Sequence, residues 1–496
     1  MWRCLTLYLV VSASAASDYY QRRAVLIEKS QNRSIGADLV LNADERKVNR
    51  LLMQLKHREF DAGFKDPEKF LPLRHFFLAR DNITRSGVFK LIRQMPKGAS
   101  LHSHDLGLVS DAYVFHNLTF RKNLWAKPDP EGRYTFRFSR TVPDDDGWEE
   151  VDALRRSDPS FDARLRAQLT LVVPDPFTAY SDIDVIWRVF EGVFRSVGSL
   201  LAFRPAFEDY FYRALEELHE DNVKYLEFRG LLPEVYDLDG RVYTPEEVLG
   251  LYDATATRFK RAHPDFVGVR FIYAPSRRVN ASVVADYVAL YERLHAGKYS
   301  KFLAGFDLVG QEDLGRTLLD FVPQLLTLGN RTKFFFHAGE TDWSYEPSDL
   351  NLYDAVLLNA TRIGHGYAIL KHPELLRIVK ERAIAIEVAP ISNQVLKLVD
   401  DVRNHPANFL VANGYPVVIA CDDPGLWGAR GLSFDFYVAF MGLSGREGDL
   451  RLLKRLAINS IEYSSLDERR KRYAMKRWRQ EWDQFVAGVI RSSETE

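Results

Sequence analysis

The chain has 496 residues, 46% of them hydrophobic and 27% charged, and its 67 basic and 68 acidic side chains leave a formal charge of −1. That length exceeds one ordinary domain but suits an elaborated α/β barrel, and the composition excludes a disordered or fibrous protein. Near-neutral charge gives no electrostatic reason to expect nucleic acid as a partner, and no stretch past the N-terminus approaches the roughly 18 uninterrupted apolar residues of a membrane span.

The basic start Met1-Trp2-Arg3, the apolar residues 4–11 and the small residues 12–17 follow the order of a signal peptide. Cleavage is expected at its end, making residues 1–17 the leader of a secreted, extracellular protein. Sequons at Asn32, Asn82, Asn117, Asn280, Asn330 and Asn359 agree with export. Cys4 leaves with the leader, so Cys421 is the one cysteine of the mature chain and no intramolecular disulfide can form. Its place between Ala420 and Asp422, on a run that reads as buried strand, predicts a packed, inert thiol.

Residues 18–90 read as helical. Asn42-Ala43-Asp44-Glu45 opens a helix that carries Val48, Leu51, Leu52 and Leu55 at helical spacing, ahead of any strand, which makes this an added N-terminal module. The first strand then ends in Leu101-His102-Ser103-His104-Asp105. Residues two apart on an extended strand face the same side, so the two imidazoles converge as a two-ligand metal clip, a weak signal alone. Residues 117–160, rich in Pro, Asp, Arg and aromatics, with one alternating piece, Tyr134-Thr135-Phe136-Arg137-Phe138, and the acidic run Asp144-Asp145-Asp146, predict an irregular inserted module.

From Asp182 onward the alternation is regular. Strands are expected over 223–228, 269–273, 303–308, 334–337, 362–365, 383–388 and 417–422, and with 99–104 they make eight. Amphipathic stretches such as 245–261, 283–294 and 373–382 separate them, which implies a closed (β/α)₈ TIM-type barrel over 91–116 and 161–496. The helical tail, residues 450–490, places Met475, Trp478, Trp482, Phe485 and Val489 on an apolar stripe opposite the run Arg469-Arg470-Lys471-Arg472. A docked helix with a solvated basic side fits this better than a polyanion-binding face.

Three downstream runs end as the first strand does: Phe334-Phe335-Phe336-His337-Ala338-Gly339-Glu340, Ile363-Gly364-His365-Gly366 and Val418-Ile419-Ala420-Cys421-Asp422-Asp423. A parallel barrel delivers strand-end side chains to one rim. Three imidazoles and a carboxylate there suit Zn²⁺, one per chain, with a position left for water. The chain has no glycine-rich phosphate loop and no Gly-x-Ser-x-Gly elbow, so kinase and serine-hydrolase chemistry have no support.

Together these motifs resemble the adenosine deaminase superfamily. Met95-Pro96-Lys97-Gly98, His337-Ala338-Gly339-Glu340-Thr341-Asp342-Trp343, Pro390-Ile391-Ser392-Asn393-Gln394 and Gly431-Leu432-Ser433-Phe434-Asp435-Phe436-Tyr437 resemble its secreted branch, the adenosine deaminase 2 or adenosine deaminase-related growth factor family. The resemblance implies a zinc enzyme that converts adenosine, and 2'-deoxyadenosine, to inosine and ammonia, with growth-factor activity through depletion of extracellular adenosine. A signalling ligand on a deaminase scaffold, and a metal hydrolase of another purine, stand as alternatives.

The resemblance further implies His102, His104, His337 and Asp422 as metal ligands and Glu340 as proton donor to the purine ring. His365 is implied as acceptor of the water's proton, although it also fits a role in orienting the ligands. Substrate contacts are implied for Asp105 on the ribose, the Gly310 backbone on the purine, Asp423 on the purine's imidazole edge, and Trp187 and Glu191, which equally fit ordinary helix packing. Residues 18–90 are implied to form a homodimer. Residues 117–160 correspond to a receptor-binding insertion that the family closes with a disulfide, and here that insertion has no cysteine. The implied partners are thus a small nucleoside, a second copy and a cell-surface receptor, with a polyanion left as the alternative reading of the basic run 469–472. One departure falls inside the site: Ala274-Pro275-Ser276-Arg277 stands where the family carries Ser-Asp-His-Arg, with a His that contacts substrate. Losing a hydrogen bond of that kind costs about 1.5–3 kcal/mol, which points to weaker nucleoside binding or a different substrate.

Overall fold

The ring of strands is assembled from two four-stranded parallel sheets. β1 (Gly98–Ser100), β2 (Val223–Gly230), β3 (Gly268–Tyr273) and β4 (Leu303–Phe306) form one, and β5 (His337–Ala338), β6 (Arg362–His365), β7 (Ala385–Val388) and β8 (Val417–Ile419) the other. Parallel bridges between Phe306 and Phe334, and between Ser103 and Asp422, join the sheets at both seams. The (β/α)₈ barrel expected from the alternation therefore closes. This computed structural model describes residues 18–495, and the signal-peptide reading falls on residues 1–17, outside them.

Nearly every strand residue is buried, as a sheet covered on both faces requires. The helices between them begin on capping residues. Thr244 and Glu247 form a capping box at Pro245–Ala262, Asp182 caps Ile183–Leu201, and Asn42 with Glu45 closes the box at Ala43–Lys65. No helix of the described residues is long and apolar enough to cross a membrane.

The insertion differs from its expectation. Instead of irregular chain it holds a three-stranded antiparallel sheet of Leu124–Pro128, Tyr134–Phe138 and Glu149–Glu150. Alternation across Tyr134–Phe138 buries Phe136 and Phe138, and Phe138 stacks on Phe203 at 4.5 Å. Ser199 on the helix Ile183–Leu201 accepts from the Phe136 N–H at 2.9 Å. Packing and hydrogen bonds thus hold a sheet that has no disulfide.

At the C-terminus Leu450–Glu462 and Glu468–Thr495 are helical, and Trp478, Trp482, Phe485 and Val489 are buried, so the apolar stripe is docked as expected. Trp482 Nε1 donates to Glu45 at 2.7 Å, tying this helix to Ala43–Lys65. Cys421 is buried against Ser100 and Ser103, and burial pushes its thiol up, out of the reactive range.

Candidate active site

The ends of β1, β5, β6 and β8 bring His102, His104, His337, His365 and Asp422 to one rim. His102 and His104 lie just beyond β1, but the extended path continues through them, because Ser103 bridges Asp422 and His104 bridges Arg229. The His102 ring lies 4.6 Å from His337, 4.9 Å from His365 and 5.5 Å from His104, centroid to centroid. Asp422 stands among them. Its Oδ1 is 3.2 Å from His102 Nε2 and 3.1 Å from His104 Nε2, and its Oδ2 is 3.8 Å from His365 Nε2. His365 and Asp422 adopt φ of 58° and 55°, left-handed values that cost a side-chain-bearing residue on the order of 1–3 kcal/mol. Backbone strain is thus present where β6 and β8 hand over their side chains.

Below the rim lies a fully buried layer of charge. Arg229 donates to Asp307 at 2.7 Å and to Glu387 at 2.8 Å, and Arg362 donates to Glu387 and, at 2.8 Å, to Glu227. Against burial, Arg229 and Arg362 hold the Glu387 carboxyl well below the usual range, and His337 with Arg229 does the same for Asp307. These carboxylates in turn orient the imidazoles. His102 Nδ1 lies 2.7 Å from Glu387 Oε2 and His337 Nδ1 2.7 Å from Asp307 Oδ2, which places the ring hydrogen on Nδ1 and frees Nε2.

A divalent ion fits the result. His102 Nε2 and Asp422 Oδ1 are buried with no hydrogen-bond partner among the described residues, although they face one another. Burial also holds His104, His337 (down to about 3) and His365 below the ordinary imidazole value, leaving the neutral rings that metal ligation requires. Opposing contacts from His102 and His104 keep Asp422 ionised despite its burial, and Ser392 Oγ donates to its Oδ2 at 2.7 Å.

Two more carboxyls border this centre in the opposite state. Glu340 is buried 3.6 Å from His365 Nδ1, and burial together with Asp422 and Glu312 pushes its carboxyl well above the usual range. Asp423 is raised likewise by burial and Asp422, and its Oδ1 has no partner among the described residues. A side chain at Gly107 would collide with that oxygen, so the glycine is what admits Asp423.

The remaining expected contacts divide. Gly310 has φ 111° and an open flank, so its backbone is approachable. Asp105 is turned into the wall, accepting from the Leu106 N–H and the Tyr252 hydroxyl, each at 2.9 Å. Trp187 is buried on Ile183–Leu201, edge-on to Phe190 at 5.2 Å, while Glu191 pairs with Arg278 at 2.7 Å. Ser276 Oγ accepts from the Arg278 N–H at 3.1 Å. Its neighbour Arg277 runs inward and donates to the His337 carbonyl at 2.7 Å. Reading the sequence missed Asp307, Glu387, Arg229, Arg362, Ser392 and Asn393. For Asp307, Glu387, Arg229 and Arg362 the available signal was a charged residue in an apolar strand run, which in a covered barrel must be paired, whereas Ser392 and Asn393, on the helix Pro390–Val395, carried no such signal.

Residues 161–479 match the family profile described as Adenosine deaminase, and residues 2–92 that described as Adenosine/AMP deaminase N-terminal. The chain belongs to the adenosine deaminase family. It is 47% identical over 476 residues to the Adenosine deaminase of Phlebotomus duboscqi, covering 95% of this chain and 92% of that one. Identity to Adenosine deaminase 2 of Homo sapiens is 41% over 479 residues, covering 95% and 93%, which places the chain with the adenosine deaminase 2 branch. Among solved structures, that of Arabidopsis ADAL complexed with GMP superposes with a TM-score of 0.58 at 16% identity, over 79% of this chain and 98% of that one. At that identity the likeness concerns the family barrel alone.

Proposed function

We propose that this chain hydrolyses adenosine, and 2'-deoxyadenosine, to inosine and ammonia with one Zn²⁺ per chain. The observation that carries the reading is the pairing of an orphaned His102 Nε2 and Asp422 Oδ1 with a buried Glu340, its carboxyl pushed up by burial, on the same rim. Relatives named adenosine deaminase at 41–47% identity support the substrate. His102, His104, His337 and Asp422 would hold the zinc ion, which would make hydroxide available at neutral pH by lowering the pKa of water from 15.7 toward about 7.

The protein's own groups do the rest. Glu340 passes its proton to the purine ring nitrogen as hydroxide adds at the adjacent C6, which keeps negative charge from building on the ring. A positioned acid of this kind contributes about 10²–10⁴-fold. His365 and Asp422 stand together on the side where the attacking water loses its proton. Asp423, unpartnered at Oδ1 and with its carboxyl pushed up by burial and Asp422, donates in its protonated form to the imidazole edge of the purine, and the Gly310 backbone meets the ring. Trp187 forms part of the wall. Asp105 would meet the ribose while already engaged by Tyr252, and Glu191 would meet substrate while paired with Arg278.

A different purine as preferred substrate is the second reading, favoured by Ser276, whose hydroxyl is already engaged. A pure signalling ligand would have no need of the strained, fully wired centre. Export and homodimerisation belong to the same proposal: residues 18–31 are helical and present Tyr19, Tyr20 and Leu26 to solvent, apolar surface that a second copy would cover. The insertion at 117–160 is the part that would meet a receptor. The test is inosine formation from adenosine by the purified chain, abolished by chelator and restored by zinc. Zinc-replete protein that leaves adenosine and 2'-deoxyadenosine untouched overturns the reading.

A further inference from the structure

We propose that His405 and Asn393 are positioning residues that fix the hydrogen of His365 on Nε2, the nitrogen turned toward Asp422, and leave its Nδ1 bare. The catalytic consequence rests on the deaminase reading above. The assignment of the hydrogen rests only on contacts.

The Ala407 backbone N–H can only donate, and its acceptor is His405 Nδ1 at 3.0 Å. That nitrogen therefore carries no hydrogen. An imidazole with a bare Nδ1 holds its hydrogen on Nε2, and His405 Nε2 lies 2.9 Å from the Asn393 side chain. The atom it meets must accept, so it is the carboxamide oxygen, and the two ends of the amide, alike in shape, are told apart. The amide nitrogen then faces His365 Nδ1 at 3.2 Å and can only donate. His365 Nδ1 is thus an acceptor, and the hydrogen of the neutral ring is on Nε2, 3.8 Å from Asp422 Oδ2. His405, Asn393 and His365 are all buried, so bulk water does not intrude to reset the sequence.

This wiring is opposite to that of the neighbouring rings. His102 and His337 have carboxylates behind Nδ1, which hold the hydrogen there and bare Nε2 toward the centre. By distance alone His365 clusters with His102, His337 and Asp422 as well as any ligand would. Its tautomer removes it from the ligand set, since a nitrogen bearing hydrogen has no lone pair for a metal. It also changes the role that resemblance gave it. At Nε2 His365 donates a hydrogen bond to the attacking oxygen and accepts no proton, which leaves the Asp422 carboxylate as the acceptor on that side.

The direct test is ¹⁵N NMR of histidine-labelled, zinc-loaded full-length protein, with the His365 ring signals identified by their loss in His365→Gln. A hydrogen-bearing Nε2 and a bare Nδ1 are expected, and the reverse pattern overturns the proposal. This readout needs no turnover, so it separates failure of the proposal from failure of the deaminase reading. Kinetics supply the second test. Asn393→Asp keeps the shape but presents an acceptor to His365, forcing the hydrogen to Nδ1; kcat is expected to fall about 100-fold or more, with KM within threefold and zinc at one per chain. Asn393→Ala removes the relay without inverting it and should lose less. A structural role predicts the reverse order, because Ala opens a hole that Asp does not. His405→Phe, which adds no charge, should lower kcat about tenfold, and His405→Gln, which can accept from Ala407 and donate to Asn393, should recover it. Wild-type kcat in His405→Phe, or a milder effect of Asp than of Ala at 393, refutes the relay.

Discussion

Replacing Asp307 by Asn puts the orienting layer to the test. Asp307 Oδ1 accepts from the His337 and Leu308 backbone N–H groups at 2.9 and 2.7 Å, and Oδ2 accepts from His337 Nδ1 and Arg229 Nε, both at 2.7 Å. A carboxamide has one acceptor. Its oxygen serves either the two backbone amides or the two side chains, and its NH₂ then confronts donors. If it faces His337 Nδ1, the ring relieves the clash by moving its hydrogen to Nε2, where it blocks ligation. Loss of an orienting partner of this kind costs about 10–100-fold in metal affinity, or about 1.4–2.7 kcal/mol. Breaking a buried ion pair costs about 3–5 kcal/mol when it strands a charge, but Arg229 keeps Glu387 and the Phe335 carbonyl, so the apo protein should lose less than that. Zinc competition with a chromophoric chelator and thermal unfolding of the apo protein measure the two effects separately. The sign with pH is fixed as well: the folded-state value of Asp307 is depressed, so its stabilisation is present above about pH 4 and is lost as pH falls further. The gap between wild type and variant should therefore hold from pH 5 to 8 and narrow in acid, to first order. An Asn variant whose zinc affinity stays within about twofold of wild type while its apo form is destabilised would reduce Asp307 to a partner for Arg229 and refute the orienting role.

Glu340→Gln should keep stoichiometric zinc and lose about 10²–10⁴-fold in kcat, because an amide cannot deliver the proton; near wild-type kcat removes the assignment. Asp435 is buried, with Oδ2 unpartnered among the described residues, and burial, with a smaller push from Asp422, raises its carboxyl well above the usual range. A raised folded value favours the native state below about pH 4 and forfeits that advantage as pH rises. Asp435→Asn apo protein should therefore match wild-type Tm near pH 4 and exceed it at pH 8, and equal Tm at pH 8 counts against the argument. Ser276→His should lower KM for adenosine with kcat nearly unchanged, since a contact made equally in ground and transition states affects binding alone. An unchanged KM alongside tight wild-type binding makes Ser276 a neutral substitution.

What the sequence disclosed, and what it withheld, follows from which contacts are local. The barrel was legible because each strand is a short apolar run followed by an amphipathic stretch, and the rim because His337, His365 and Asp422 each end such a run. The charged layer beneath was present in those same runs, as Glu227, Arg229, Asp307, Arg362 and Glu387, but its pairing depends on neighbours around the ring and not on order along the chain. Arg229 of β2 meets Glu387 of β7, 158 residues away. In the insertion, Tyr134–Phe138 showed its alternation, while its partner Leu124–Pro128 turns the small Ala126 inward and the large Trp125 outward and ends in proline, which masks the period of two. The histidines show the limit most clearly. Residue type gives four imidazoles that can each ligate, donate or accept, and only the group behind Nδ1 separates those uses. A carboxylate behind His102 and His337 leaves a lone pair facing the centre, and a carboxamide behind His365 leaves a hydrogen there. The chemistry of the rim is therefore set from outside it, by Glu387 and Asp307 on one side and by Asn393 and His405 on the other.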